Sequence, residues 1–315
     1  WRGKTVTLQV DKLSEDSKAL IAIEQSDGIS GAEGLYREPL RGQFHFSSQR
    51  GWNNDPNGLV FYHGEYHMFY QHNPYGWGWG NMHWGHAVSR DLLHWQEIGD
   101  VLAPDDLGPM FSGSAVVDWK NTSGLGNDAQ PSLVLIYTAA GKPTVQCIAS
   151  STDGRAFTKF AGNPVVQQIT GGNRDPKVFW HEPTKKWVMV LYVGLPEKKH
   201  TIHFFTSPNL RDWTLASITE GGTEGGKFLH ECPDFFELPV DGEATNKKWV
   251  LTAASSEYAL GTFDGTTFTP EKTKLPGHRG KGFYAAQTFS DIPANDGRRI
   301  QIGWFRTETK GMPFN

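Results

Sequence analysis

The chain has 315 residues, with 30 Lys and Arg against 34 Asp and Glu and a formal net charge of −4. That balance argues against nucleic acid as the main partner, which would need clustered basic side chains, and no run of about 18 apolar residues exists to span a membrane as a helix. Two cysteines, Cys147 and Cys232, are too few for a disulfide framework, whereas 12 Trp, 9 Tyr and 19 Phe supply flat faces that suit a core or a sugar ring.

Residues 1–40 stand apart from the rest of the chain. Positions 5–10 alternate like a strand and 11–30 are mostly polar with an acidic lean, which reads as the remnant of a small β module or an arm. From residue 41 onward a three-part unit recurs every ~55–60 residues, the mark of a repeated supersecondary element. Its first part is a polar strand entry: Asn54-Asp55-Pro56, Phe111-Ser112-Gly113, Arg174-Asp175-Pro176, Glu231-Cys232-Pro233 and Tyr284-Ala285-Ala286. Its second is a β-rich run at 65–70, 132–138, 186–192, 248–253 and 299–305, rich in Val, Ile, Tyr, Phe and Trp. Its third is a polar turn closing on an aromatic: Ser89-Arg90-Asp91 to Trp95, Ser151-Thr152-Asp153-Gly154 to Phe157, Ser207-Pro208-Asn209 to Trp213, and Phe263-Asp264-Gly265 to Phe268.

Five entries, five runs and four turns predict an all-β chain folded as a five-bladed β-propeller over 41–315, the last blade incomplete. A β-sandwich also shows many short strands, but it gives no reason for the ordered recurrence of all three parts.

In a propeller the first residues of each innermost strand face one mouth of the channel, so Asp55, Asp175 and Glu231 are expected to converge. A retaining glycosidase needs one ionised and one protonated carboxylate about 5–5.5 Å apart. Asp55 lies among Asn53, Asn54 and Asn57, whose amides favour an anion and a nucleophile. Asp175 follows Arg174, which also favours ionisation and suits a role in binding hydroxyls or stabilising developing cation. Glu231 stands near Leu229, Cys232, Phe235 and Phe236, and its apolar neighbours together with two other carboxylates should raise its pKa, as a general acid requires. Taken singly, each of these short stretches reads first as a structural turn; their recurrence at equivalent repeat positions is what turns alone do not explain.

Other clusters carry less. His63, His67, His72, His83 and His86 are dense enough to suggest a metal, yet they fall in strand-like segments without metal-ligand spacing, and structural histidines are the expectation. Asn121-Thr122-Ser123 matches a glycosylation sequon or is a plain loop. Cys232 either tunes Glu231 or is a small buried residue. Gly76-Trp77-Gly78 and residues 221–226 are candidate loops at the rim.

The motifs taken together resemble glycoside hydrolase family 32, the β-fructofuranosidases that include levanases, inulinases and invertases. The resemblance covers 41–315 and rests on the run at 52–58, on Phe69-Tyr70-Gln71-His72-Asn73-Pro74, on the run at 79–87, on Phe111-Ser112-Gly113-Ser114, on Arg174-Asp175-Pro176, on Glu231-Cys232 and on the run at 283–287. It implies Asp55 as nucleophile, Glu231 as acid/base and Asp175 as transition-state stabiliser. It further implies Asn54, Gln71, Trp79, Phe111, Ser112, Arg174, Tyr284 and Trp304 as walls of a terminal-fructose pocket, with no cofactor and no metal. The expected substrate is a fructan, levan or inulin, or a fructo-oligosaccharide, with sucrose as a further one. A non-catalytic fructan-binding propeller and a fructosyltransferase on the same scaffold are the alternatives. The family's C-terminal β-sandwich is expected outside this segment, as is any signal peptide. The lead-in before Trp52 is similar to the β module appended to some bacterial fructan hydrolases, which points to a secreted, periplasmic or cell-surface enzyme.

Overall fold

The computed structural model describes residues 30–42, 44–127, 130–220, 228–272, 274–278 and 280–306, with scattered positions before residue 30. Most of the strand expected at 5–10 and all of the loop at 221–226 lie outside the described residues. The chain divides into two compact units, Trp1–Phe44 and His45–Asn315. In the first, a 3-10 turn spans Ala32–Gly34 and Arg41 pairs with Glu38 at 2.6 Å.

The second unit is built of antiparallel sheets in strict chain order. The first holds β1 (Trp52–Tyr62), β2 (Glu65–Asn73), β3 (His83–Ser89) and β4 (Trp95–Leu102). The second holds β5 (Met110–Asp118), β6 (Ser132–Ala139), β7 (Val145–Ser151) and β8 (Thr158–Lys159). The third comprises β9 (Gly172–His181), β10 (Lys186–Leu195), β11 (Lys199–Ser207) and β12 (Thr214–Glu220). The fourth comprises β13 (Asp234–Val240), β14 (Glu243–Thr252), β15 (Tyr258–Phe263) and β16 (Phe268–Pro270). A last pair, β17 (Phe283–Thr288) and β18 (Gln301–Phe305), forms a two-stranded sheet. The all-β propeller is therefore present with four full blades among the described residues, where five were expected. The sequence repeat already contains the reason, because the fifth unit has an entry and a β-rich run but no closing turn.

Middle strands are apolar on both faces because each blade is sandwiched between two others. On β6, Leu133, Leu135 and Tyr137 pack toward the first sheet while Val134 and Ile136 pack toward the third. On β10, Met189, Leu191 and Val193 face the second sheet, and Val188, Val190 and Tyr192 face the fourth. The first sheet closes on the two-stranded one through Leu59, Met68 and Tyr70 against Phe289, Ile300 and Ile302.

The recurrent turns are the same structure repeated. Ser89 Oγ accepts the amides of Asp91 and Leu92, and Asp91 Oδ1 those of Leu93 and His94. Asp153 Oδ1 accepts from Arg155 and Ala156, Asn209 Oδ1 from Arg211 and Asp212, and Asp264 Oδ1 from Thr266 and Thr267. Short polar side chains that mimic a backbone turn explain why Ser, Asp and Asn recur there.

The first strands of neighbouring sheets face one another without sharing a ladder, β1 against β5, β5 against β9, β13 against β17 and β17 against β1. Buried polar side chains join them instead. Ser114 Oγ donates to the Pro176 carbonyl at 2.8 Å and accepts from the Val178 amide, and Gln287 Nε2 donates to the Gly113 carbonyl at 3.0 Å. Lys177 Nζ sits 3.0 Å from Asp234 Oδ1 and donates to the Thr288 carbonyl at 2.9 Å, and Asp234 Oδ2 accepts the Thr288 amide. One parallel bridge, Val60 to Ser290, ties the last sheet back to β1.

Candidate active site

Four of the five first strands, β1, β5, β9 and β17, are irregular where they enter the channel. The β1–β2 register shifts between Asn53 and Pro56, the β5–β6 register between Phe111 and Gly113, and the β17–β18 register between Tyr284 and Gln287. The β9–β10 register slips between Val190 and Tyr192, opposite Asp175. Asp175, Glu231, Cys232 and Ala285 all have left-handed backbones, with φ of 64°, 56°, 41° and 51°. Non-glycine residues adopt that region at a cost, and bulges of this kind re-aim side chains at functional sites. Here they turn the polar entries toward one mouth.

All eleven residues expected at the site line one cavity of about 360 Å³. Asp55 accepts from Ser112 Oγ at 2.8 Å and from Asn54 Nδ2 at 3.0 Å, and Asn54 in turn accepts from Trp52 Nε1 at 2.8 Å. Asp175 Oδ2 accepts the Cys232 amide at 2.9 Å, and the Asp175 amide donates to Thr138 Oγ1. Glu231 accepts from Arg174 Nη2 on one oxygen and from Tyr284 Oη on the other, each at 2.6 Å. The carbonyls of His230 and Glu231 both accept the Ala254 amide, which pins this segment to the end of β14. Gln71 is anchored through the Met110 carbonyl at 2.9 Å. Trp79 and Phe111 meet edge to face at 5.7 Å, and Trp304 stands edge-on to both Trp52 and Tyr284. The loop carrying Gly76-Trp77-Gly78 is held by Asn73 Nδ2 on the Gly78 carbonyl, and Trp77 is exposed.

Three cavity residues were not assigned to the pocket from sequence: Trp52, Cys232 and Arg306. Trp52 opens the motif that carries Asp55, so the signal that could have found it was at hand. The Cys232 thiol stands 3.6 Å from both Asp55 Oδ2 and Asp175 Oδ2, so it is buried between two carboxylates. The Arg306 guanidinium lies over the rings of Tyr284 and Trp304, at 5.2 and 5.9 Å, and no sequence signal pointed to it.

The electrostatics differ from expectation. Burial raises the pKa of Asp55 against the hydrogen bonds of Ser112 and Asn54, and burial pushes Asp175 up to about 7 against the pull of Arg174. Burial also works to raise Glu231, but the Tyr284 hydroxyl and the Arg174 guanidinium outweigh it and hold the carboxyl below its ordinary value. Burial sends the Cys232 thiol well above its usual range, so it is a neutral partner. A proton shared among the three acids therefore rests on Asp175 rather than on Glu231.

The histidines are occupied in structural contacts. His72 bridges Asp100 and the Arg50 carbonyl, His83 bonds the Asn81 carbonyl, His67 and His86 bond each other at 3.0 Å, and His63 stacks on Tyr62. No group of three or more metal-ligating side chains occurs among the described residues. Asn121 lies in a turn, its side-chain oxygen accepting the Gly126 amide.

Comparison with known proteins identifies the same scaffold. The glycosyl hydrolases family 32 N-terminal domain matches residues 45–312. The chain is 48% identical over 287 residues to the levanase of Bacillus subtilis (strain 168), covering 85% of this chain and 41% of that protein. It is 39% identical over 318 residues to the extracellular exo-inulinase of Aspergillus niger, covering 85% and 58%. The crystal structure of the exo-inulinase of Aspergillus awamori superposes with a TM-score of 0.76 at 38% identity, covering 86% of this chain and 60% of that one. The β-fructofuranosidase of Schwanniomyces occidentalis complexed with fructosyl-erythritol gives 0.76 at 36% identity, covering 85% and 54%. The chain thus spans less than two thirds of the length of these relatives.

Proposed function

The chain belongs to glycoside hydrolase family 32, and from that premise we propose that it is a retaining β-fructofuranosidase acting on the terminal fructosyl unit of levan or inulin, with sucrose as a further substrate. The observation that carries the reading is the meeting of three carboxylates from three blades, Asp55, Asp175 and Glu231, in one cavity of about 360 Å³.

In this reading the Asp55 carboxylate attacks C2 of the fructosyl unit while Glu231 gives its proton to the departing glycosidic oxygen. The C2–O bond to the leaving sugar breaks and a fructosyl ester on Asp55 forms. Glu231, now ionised, takes a proton from water, whose oxygen attacks C2 and releases Asp55. Asp175 receives fructose hydroxyls and offsets the positive charge that develops on the ring. Fructose hydroxyls that draw Arg174 away from Glu231 would let the acid load its proton when substrate is bound. Asn54, Gln71, Ser112 and Arg174 supply directional hydrogen bonds, and Trp79, Phe111, Tyr284 and Trp304 supply apolar walls. The reaction calls for no cofactor.

We read β17 and β18 as the inner half of a fifth blade, residues 41–315 as the catalytic propeller, and 1–40 as a separate arm. Relatives described as extracellular support action outside the cytoplasm.

Product analysis tests the proposal. Incubation with levan, inulin and sucrose should release fructose, and Asp55→Asn and Glu231→Gln should each abolish release while the circular dichroism spectrum stays unchanged. Binding of levan without release would make the protein a fructan-binding propeller, and accumulation of oligofructosides at high sucrose would make it a transferase.

A further inference from the structure

We propose that His230 and His200, with Tyr192 behind them, form a ledge that binds the sugar unit on the leaving-group side of the scissile bond; this rests on the hydrolase reading above. The position of Glu231 sets the direction. Its side chain is 26% exposed where that of Asp175 is 5%, so the acid stands at the edge of the cavity rather than on its floor. The leaving oxygen has to meet this carboxyl, and the leaving sugar therefore departs past it.

Beside Glu231, outside the residues that line the fructose cavity, stands His230, with Nδ1 3.6 Å from Glu231 Oε2 and a side chain 41% exposed. Its ring stacks on His200 at 4.5 Å and 29°, and Tyr192 meets it edge-on at 5.3 Å. The three come from separate segments: His230 from the stretch before β13, His200 from the start of β11, and Tyr192 from β10. His200 pairs across the sheet with Gly194, where an added Cβ would stand 3.1 Å from the Tyr192 hydroxyl. The glycine keeps that corner open for the phenol.

Flat rings with polar edges are what a furanose needs, since its C–H faces pack on π surfaces and its hydroxyls take nitrogen donors and acceptors. The ledge also links to the chemistry, because Arg174, which grips Glu231, lies over the Tyr192 ring at 4.6 Å. A second fructosyl unit settling on the ledge would steer the glycosidic oxygen toward the acid. The ledge would thus favour substrates with a sugar leaving group over those with a small one.

The test is a ratio of kcat/KM values, fructotriose over methyl β-D-fructofuranoside, whose methanol leaving group does not reach the ledge. The assay uses the full chain, as wild type and with His230→Ala, His200→Ala or His230→Phe. The expected result is a fall of the ratio by about fivefold to tenfold in each alanine variant, mostly through KM for the triose, with His230→Phe keeping most of it. A merely structural role, or an effect on the acid alone, moves both substrates together and leaves the ratio fixed, and that result would overturn the proposal. Should His230→Ala fail to fold, His200→Ala and His230→Phe decide by the same ratio. A wild type that turns over neither sugar overturns the hydrolase reading itself, which is distinct from an active wild type whose ratio does not respond.

Discussion

Tyr284→Phe removes one oxygen and leaves the ring against Trp304 and under Arg306. That oxygen donates to Glu231 Oε2 at 2.6 Å, one of two hydrogen bonds that hold the carboxyl below its ordinary pKa. A hydrogen bond to a charged group contributes about 1.5–3 kcal/mol, and one pKa unit corresponds to about 1.36 kcal/mol, so the substitution should raise the Glu231 pKa by about 1–2 units. The hydroxyl donates to the anion, and without it the anion is harder to form, which fixes the sign. Glu231 has to be protonated as the donor while Asp175, which titrates higher, has to be ionised, so in the free enzyme the ionisation of Glu231 sets the acid limb of the pH profile of kcat/KM. That limb should move up by about 1–2 units in Tyr284→Phe, measured on sucrose or a fructotriose. An acid limb that stays in place, or moves down, would refute the claim that this hydroxyl sets the protonation of the acid.

Asp175, with its pKa raised to about 7, is ionised in the unfolded chain but protonated in the folded one between about pH 4 and 7, so its contribution to stability is lost as pH rises through that window. Asp175→Asn should accordingly raise Tm at pH 7.5 by several degrees, much less at pH 4.5, while abolishing turnover; equal effects at both pH values would contradict the assignment. The buried His67–His86 pair works in the opposite sense. Burial, helped by the charge of Arg155, lowers His67 to about 4, so the protein should lose about 3 kcal/mol as pH falls from 6.5 toward 4. His67→Phe combined with His86→Leu should flatten that loss in urea unfolding at pH 7 and pH 4.5. Lys177→Met strands the fully buried Asp234 without its cation, which costs about 3–5 kcal/mol and should lower Tm by on the order of 10 °C. Lys177→Met with Asp234→Leu should regain part of it, and a double variant less stable than the single would show that the pair is not the reason.

Much of the fold could be read from sequence because the repeat is written in side chains that act locally. Asp91, Asp153, Asn209 and Asp264 each build their own turn from neighbouring amides, so the pattern survives translation into one dimension. The strand entries were legible for the same reason, and they hold Asn54, Asp55, Phe111, Ser112, Arg174, Asp175, Glu231 and Tyr284. Gln71, Trp79 and Trp304 lie elsewhere and came only with the family resemblance. What sequence could not carry is contact across blades. Phe235 is four residues from Glu231, but its ring packs with Phe204 and Trp249 in the core between sheets. The neighbours that decide the charge of Glu231 are Arg174 and Tyr284, 57 and 53 residues away. Sequence proximity therefore gave the wrong direction for its pKa. The left-handed backbone at Glu231 and Cys232 was equally invisible, because neither residue type favours it, and Asp at 175 adopts it only occasionally.

The dependence on distant contacts bears on how the site is kept intact. Tyr284 belongs to the two-stranded sheet, whose hold on the rest of the propeller includes the Val60–Ser290 bridge to β1 and the Thr288 bonds to Lys177 and Asp234. Those links come from the first, third and fourth blades, which also supply Asp55, Arg174 with Asp175, and Glu231. The buried ion pair is therefore more than a local contact, since it fixes the strand that presents the Tyr284 hydroxyl against the blade that presents the acid. A buried pair is weak evidence for stability by itself, because apolar side chains of similar volume often serve as well. Here it gives register, as a polar contact can where packing alone tolerates a slide. A propeller closed by apolar faces alone could shift one blade by a fraction of an ångström at little cost, and a 2.6 Å hydrogen bond to Glu231 would not survive that shift unchanged.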